Sequence, residues 1–144
     1  MSNVAALYHV KVRATTGMSG APVLVLDLLV NANTGQISGG AEISQALPPP
    51  YGQTVIPQVT GSLFQTGLGP NIQLAHVTGE YVVSVPPPAI GSYLAKFSAA
   101  LAVDHNWNGK GSFVYGNQTV IDATVTNITN EAGATPARSE AVKA

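Results

Sequence analysis

The sequence predicts an all-β fold: a small antiparallel meander of about eight strands, closed as a barrel or strongly coiled sheet, with a β-sandwich as the alternative. Three observations predict it. Apolar residues alternate with polar ones over much of the chain, the period-two signature of strands with one buried face. Turn-forming residues separate these runs at intervals of roughly ten to fifteen residues. Glycine recurs inside the runs, in Gly61-Ser-Leu-Phe64, Gly79-Glu-Tyr81 and Gly111-Ser-Phe113. A strand glycine marks a bend or bulge, and its repetition implies a sheet that coils and closes.

The first strand is Tyr8 to Ala14, where Tyr8, Val10 and Val12 alternate with His9, Lys11 and Arg13. Val23 to Val30 is the second. Leu24, Leu26, Leu28 and Val30 form one face of it, and Val23, Val25 and Leu29 form the other, interrupted only by Asp27. Both faces therefore ask for cover, from another layer of the chain or from another copy. Asn31 to Gly35 is a turn into a third strand carrying Ile37, Gly39, Ala41 and Ile43. Val55 to Thr66 and Ile72 to Val85 are the fourth and fifth. Tyr93 to Val103 has enough alanine for a short helix, but its alternation favours a sixth strand. Asn106 to Lys110 turns the chain into Ser112 to Tyr115, and Gly116 to Gln118 turns it into Val120 to Ile128. The proline triplets Pro48 to Pro50 and Pro86 to Pro88 read as extended connectors that block edge pairing, or as docking sites for a proline-binding groove. Residues 1–129 are thus one β domain. The segment 130–144 has almost no large apolar residue and reads as a disordered tail.

Composition narrows the function classes. At 144 residues and 45% apolar content the chain can build a core without staples. Charged residues make up only 9%, against about 25% in an average domain. Such a surface repels its neighbours weakly and favours association. The net charge of −1 supplies no basic field for nucleic acid or an anionic membrane. The absence of cysteine removes disulfides, thiolate catalysis and thiolate metal sites. The N-terminus lacks the basic and long apolar regions of a signal peptide, so a cytoplasmic protein is expected, or one exported by another route.

No constellation for chemistry stands out. His9, His76 and His105 are too dispersed for a zinc site. No Gly-x-Ser-x-Gly elbow or phosphate loop occurs. No catalytic residue, metal or cofactor is assigned, and the chain is read as a non-enzyme. Five residues are candidate binding residues. His9, Lys11 and Arg13 form a cationic stripe that suits an anion or acidic partner, or is a solvated edge face. Asp27 is either a structural pair or solvated position, or a polar anchor within a barrel cavity. Trp107, in an Asn-Trp-Asn-Gly turn, is either an exposed contact residue or a lid on the core. Asn117-Gln-Thr119 and Asn127-Ile-Thr129 match the glycosylation sequon by chance on this reading.

Residues Gly20 to Asn31 (GAPVLVLDLLVN), Gly35 to Gly39 (GQISG), Ile43 to Pro50 (ISQALPPP) and the Trp107-x-Gly region resemble an uncharacterised bacterial family, the domain of unknown function numbered eighteen forty-two. The similarity covers roughly residues 5 to 128. It implies a bacterial origin and a small stand-alone β domain, and it carries over no catalytic residue. The expected function is a binding or self-associating structural module, forming a homodimer or higher oligomer or binding another protein. The alternative is a lipocalin- or avidin-type barrel around a small apolar ligand. A filled lumen favours the first and an open one the second.

Overall fold

A computed structural model describes residues 7–46, 52–65, 73–84 and 90–129. Eight strands follow one another around a closed barrel, each antiparallel to the next: β1 (Leu7–Thr15), β2 (Val23–Asn31), β3 (Gln36–Ser44), β4 (Gln53–Gln65), β5 (Gln73–Ser84), β6 (Ser92–Val103), β7 (Gly109–Tyr115) and β8 (Gln118–Asn127). The barrel is the first of the two predicted architectures; the sandwich is not formed. Strand positions agree with the alternation pattern. The main difference is at β7, which begins at Gly109 because the preceding turn closes earlier, between Asp104 and Asn108. Both proline triplets and the predicted tail lie outside the described residues.

Alternation decides which side of the wall each residue occupies. Val10, Val12 and Ala14 of β1 point inward, as do Leu24, Leu26, Leu28 and Val30 of β2. They meet Ile37 and Ile43 of β3, Ile56 and Val59 of β4, Phe97 and Leu101 of β6, and Phe113 of β7 in one continuous core. Each such large side chain taken out of water contributes about 1.5–3 kcal/mol. Two bulges interrupt the pattern. In β4, Pro57 and Gln58 add residues opposite Gly40, so that Ile56 and Val59, three apart, both face inward. In β8, a residue is added opposite Ser112, with Asp122 in the left-handed region at φ 58°.

The three echoing glycines lie where neighbouring strands approach too closely for a side chain. A Cβ on Gly61 would fall 1.7 Å from the His76 carbonyl oxygen. Gly79 and Gly111 also leave no room for a methyl group beside the neighbouring strand. Close approach of backbone to backbone lets the sheet coil enough to close.

Closure itself is narrow. β1 and β8 share four residue pairs, from Val12 opposite Asn127 to Thr15 opposite Thr124. Beyond them the chain leaves the ladder, and Thr129 takes over: its hydroxyl accepts the Lys11 backbone N–H at 2.9 Å, while the Ile128 N–H donates to the Lys11 carbonyl at 2.7 Å.

β5 and β6 are the longest continuous pairing, twelve residues on each side. β4 accompanies β5 only as far as Gly79, and β7 accompanies β6 only as far as Phe97. The pairs from Glu80 opposite Lys96 to Ser84 opposite Ser92 therefore extend past both neighbouring ladders as a two-stranded arm, whose inward residues Tyr81 and Ala95 still belong to the core and whose Lys96 carbonyl accepts the Gly116 N–H at 3.1 Å. The facing stretch of β4, Gln53 to Gln58, is paired with β3 alone, and Pro57 there has no N–H to offer a further strand.

Candidate functional site

The predicted cationic stripe lies on the outer face of β1. His9, Lys11 and Arg13 alternate with the inward residues and stand opposite Leu29, Asp27 and Val25 of β2. Asp27 also points outward and is exposed. Its partner is not a lysine or arginine but His9, whose Nε2 contacts Asp27 Oδ1 diagonally across the strand pair. The reading of Asp27 as a polar anchor within a cavity is corrected by this placement: strand parity puts it on the side opposite Leu26 and Leu28. Both groups of the pair are more than half exposed, so solvent screens their attraction and it contributes little to stability. Beside it, Lys11, Asp27, Glu42, Val55 and Pro57 line a shallow depression of about 240 Å³. The structure thus brings four of the five candidate residues together on one outer surface.

Trp107 is elsewhere, at the end of the barrel where β6 turns into β7. Only 3% of it is exposed, so it is the lid and not the exposed contact residue. Its indole Nε1–H donates to the Tyr8 hydroxyl at 3.3 Å. The backbone around it is fixed by Asp104, whose carboxylate accepts the N–H groups of Asn106 and Asn108. Its carbonyl accepts the Trp107 N–H and a side-chain N–H from the buried Gln73. This network holds Trp107 at φ 64°, a left-handed conformation uncommon for a bulky residue. The Asn127 side chain completes the end by donating to the Asn106 carbonyl at 2.8 Å. That bond occupies the amide that the sequon would offer.

A polar rim depression of about 500 Å³ lies beside the lid, lined by Tyr8, His9, His105, Asn106 and Asn108. Another, of about 430 Å³, lies at the opposite end of the barrel, where the stretch of β4 that pairs with β3 alone faces the arm; Val55, Tyr81, Val83, Tyr93 and Tyr115 line it. Burial pushes the Tyr81 and Tyr115 hydroxyls above the usual tyrosine range, and each is raised further by a neighbouring tyrosine. The Tyr115 hydroxyl reaches Gln45 Oε1 at 3.4 Å. Among the described residues no three His, Asp or Glu side chains converge as a metal site.

Sequence reasoning missed the outer face of the arm. Val82 stands directly opposite Leu94, and Glu80 directly opposite Lys96. Val82 is 65% exposed and Leu94 63%. Glu80 and Lys96 are also exposed. Where the arm extends past the neighbouring ladders, Gln58, Thr60, Thr78, Glu80, Leu94 and Lys96 border a depression of about 880 Å³. The signal was present in strand length: the fifth and sixth runs are longer than the seventh. Overhang, however, depends on register across three strands.

No curated protein matches the chain. The family model described as Domain of unknown function (DUF1842) matches residues 5–120, from the approach to β1 to the start of β8 and eight residues short of the expected end. The chain, an all-β meander closed into an eight-stranded barrel, is therefore a member of the family Domain of unknown function (DUF1842).

Proposed function

We propose that the chain is a non-enzymatic binding module whose principal partner is another copy of itself. The observation that carries this reading is the filled interior. Inward positions hold large apolar side chains such as Leu28, Phe97, Leu101 and Phe113, each about 1% exposed. A lipocalin- or avidin-type barrel holds its ligand in an open lumen, so the packed interior favours a function on the outer wall. That wall carries few charges and several exposed apolar residues, a combination that lowers the repulsion between copies. The closed symmetric dimer is the default form of such association. Multi-angle light scattering of the full chain at micromolar concentration tests the reading. The expected mass is at least twice the 14.7 kDa of one chain, and a clean single-chain mass overturns it.

A further inference from the structure

We infer that two copies meet through the outer face of β5 and β6, centred on the arm. The inference rests on the self-association proposed above and names its surface. A two-fold interface must be complementary to itself. The arm meets that condition, because each of its cross-strand rows holds residues that suit one another. An acid faces a base in Glu80 and Lys96, and an aliphatic faces an aliphatic in Val82 and Leu94. A two-fold axis running along the arm, between its strands, lays β5 of one copy over β6 of the other. Glu80 then meets the second copy's lysine, Lys96 meets its glutamate, and Val82 packs on its leucine.

Three further observations favour this face. Among the described residues, Glu80 and Lys96 have no ion-pair partner within the chain. The depression beside them leaves space for long side chains from a second copy. Toward the barrel the face continues through Thr78 opposite Ser98, His76 opposite Ala100 and Leu74 opposite Ala102, whose small β6 residues permit close approach of a second sheet. β4 and β7 flank β5 and β6 over seven residue pairs, where the face is about 23 Å long and about 15 Å wide, and along the arm it narrows to two strands over about 17 Å. The footprint is on the order of 450 Å², below the roughly 800 Å² that each partner buries in a standard interface and suited to a reversible dimer. The outer face of β2, to which the sequence pointed, is weaker: Val23 and Val25 are already half-buried, and the His9–Asp27 pair interrupts the patch.

Charge-swap variants of the full chain test this, with the dissociation constant followed by sedimentation velocity. E80K and K96E are each expected to weaken the dimer about tenfold or more, because each places like charges face to face. An equimolar mixture of the two is expected to recover the parent affinity to within about threefold, since every facing pair is again opposite in sign. Leu94→Lys is expected to dissociate the dimer as well, and Leu29→Lys, on the β2 face, to leave it intact. Circular dichroism melts confirm folding, to which the exposed Glu80, Leu94 and Lys96 are expected to be indifferent. A monomeric parent overturns the self-association reading and this inference with it. A dimeric parent that E80K, K96E and Leu94→Lys leave unchanged overturns the arm interface alone. So does a mixture of E80K and K96E that fails to recover.

Discussion

At Gly61 the barrel wall leaves no space for even one methyl group. Its neighbour across the ladder is Val77, and the His76 carbonyl lies where a Cβ would go. Gly61→Ala must push two hydrogen-bonded strands apart, a backbone displacement that a rotamer change cannot relieve. Overpacking of this kind costs about 3 kcal/mol or more, which lowers the melting temperature by on the order of 10 °C. A thermal melt followed by circular dichroism checks this, and a variant melting within about 2 °C of the parent would show that the wall yields there. Trp107 and Asp122 present the opposite arrangement: non-glycine side chains held at positive φ. Asp tolerates the left-handed region through its short polar side chain, and in β8 it sits at an exposed bulge near Lys110. Trp107 is held there by burial and by the turn around it. Neither conformation was legible in the sequence, because each is imposed by packing and turn geometry and not by the residue's own preference.

The end of β8 shows how one element fastens two others. The Asn127 side chain donates to the Asn106 carbonyl and accepts from both the backbone N–H and the hydroxyl of Thr129. Its backbone N–H donates to the Asn108 side chain at 2.9 Å. Through Thr129 the same residue reaches Lys11 of β1. Asn127→Ala deletes the side-chain bonds and leaves the Asn106 carbonyl without this donor. The expected loss is about 1–3 kcal/mol, read as a lower urea midpoint with an unchanged slope; an unchanged midpoint would show that water replaces the amide. At this scale the strands were well legible, because a run such as Tyr8 to Ala14 or Tyr93 to Val103 encodes its buried face directly in alternation. The fastenings were not legible. Asn127-Ile-Thr129 looks in sequence like a chance sequon, and its structural use depends on a turn some twenty residues upstream.

For the whole molecule, closure was suggested by the recurrent glycines, whereas whether the lumen is filled or open was not legible, because it depends on how the inward side chains of all eight strands meet. Asp27 was harder to place, because a run apolar on both faces does not say which face is inside until β1 and β3 are aligned beside it. The narrow joint between β1 and β8 has a kinetic consequence. Every other neighbouring pair is consecutive along the chain, so the meander can grow by adding hairpins. The β1–β8 partners are separated by 109 to 115 residues in sequence. Closing a loop of that length costs about 2 kcal/mol more chain entropy than closing one of about ten residues, and it is rewarded by the shortest ladder in the barrel. The folding order that follows is an open, curled sheet first and ring closure last, with the Thr129 contact acting as the catch. The same joint is then where the native ring parts most readily. Amide hydrogen exchange should be faster in β1 from Val12 to Thr15 and in its β8 partners than along the inner rows of β5 and β6; equal protection would mean that the ring opens only by unfolding as a whole.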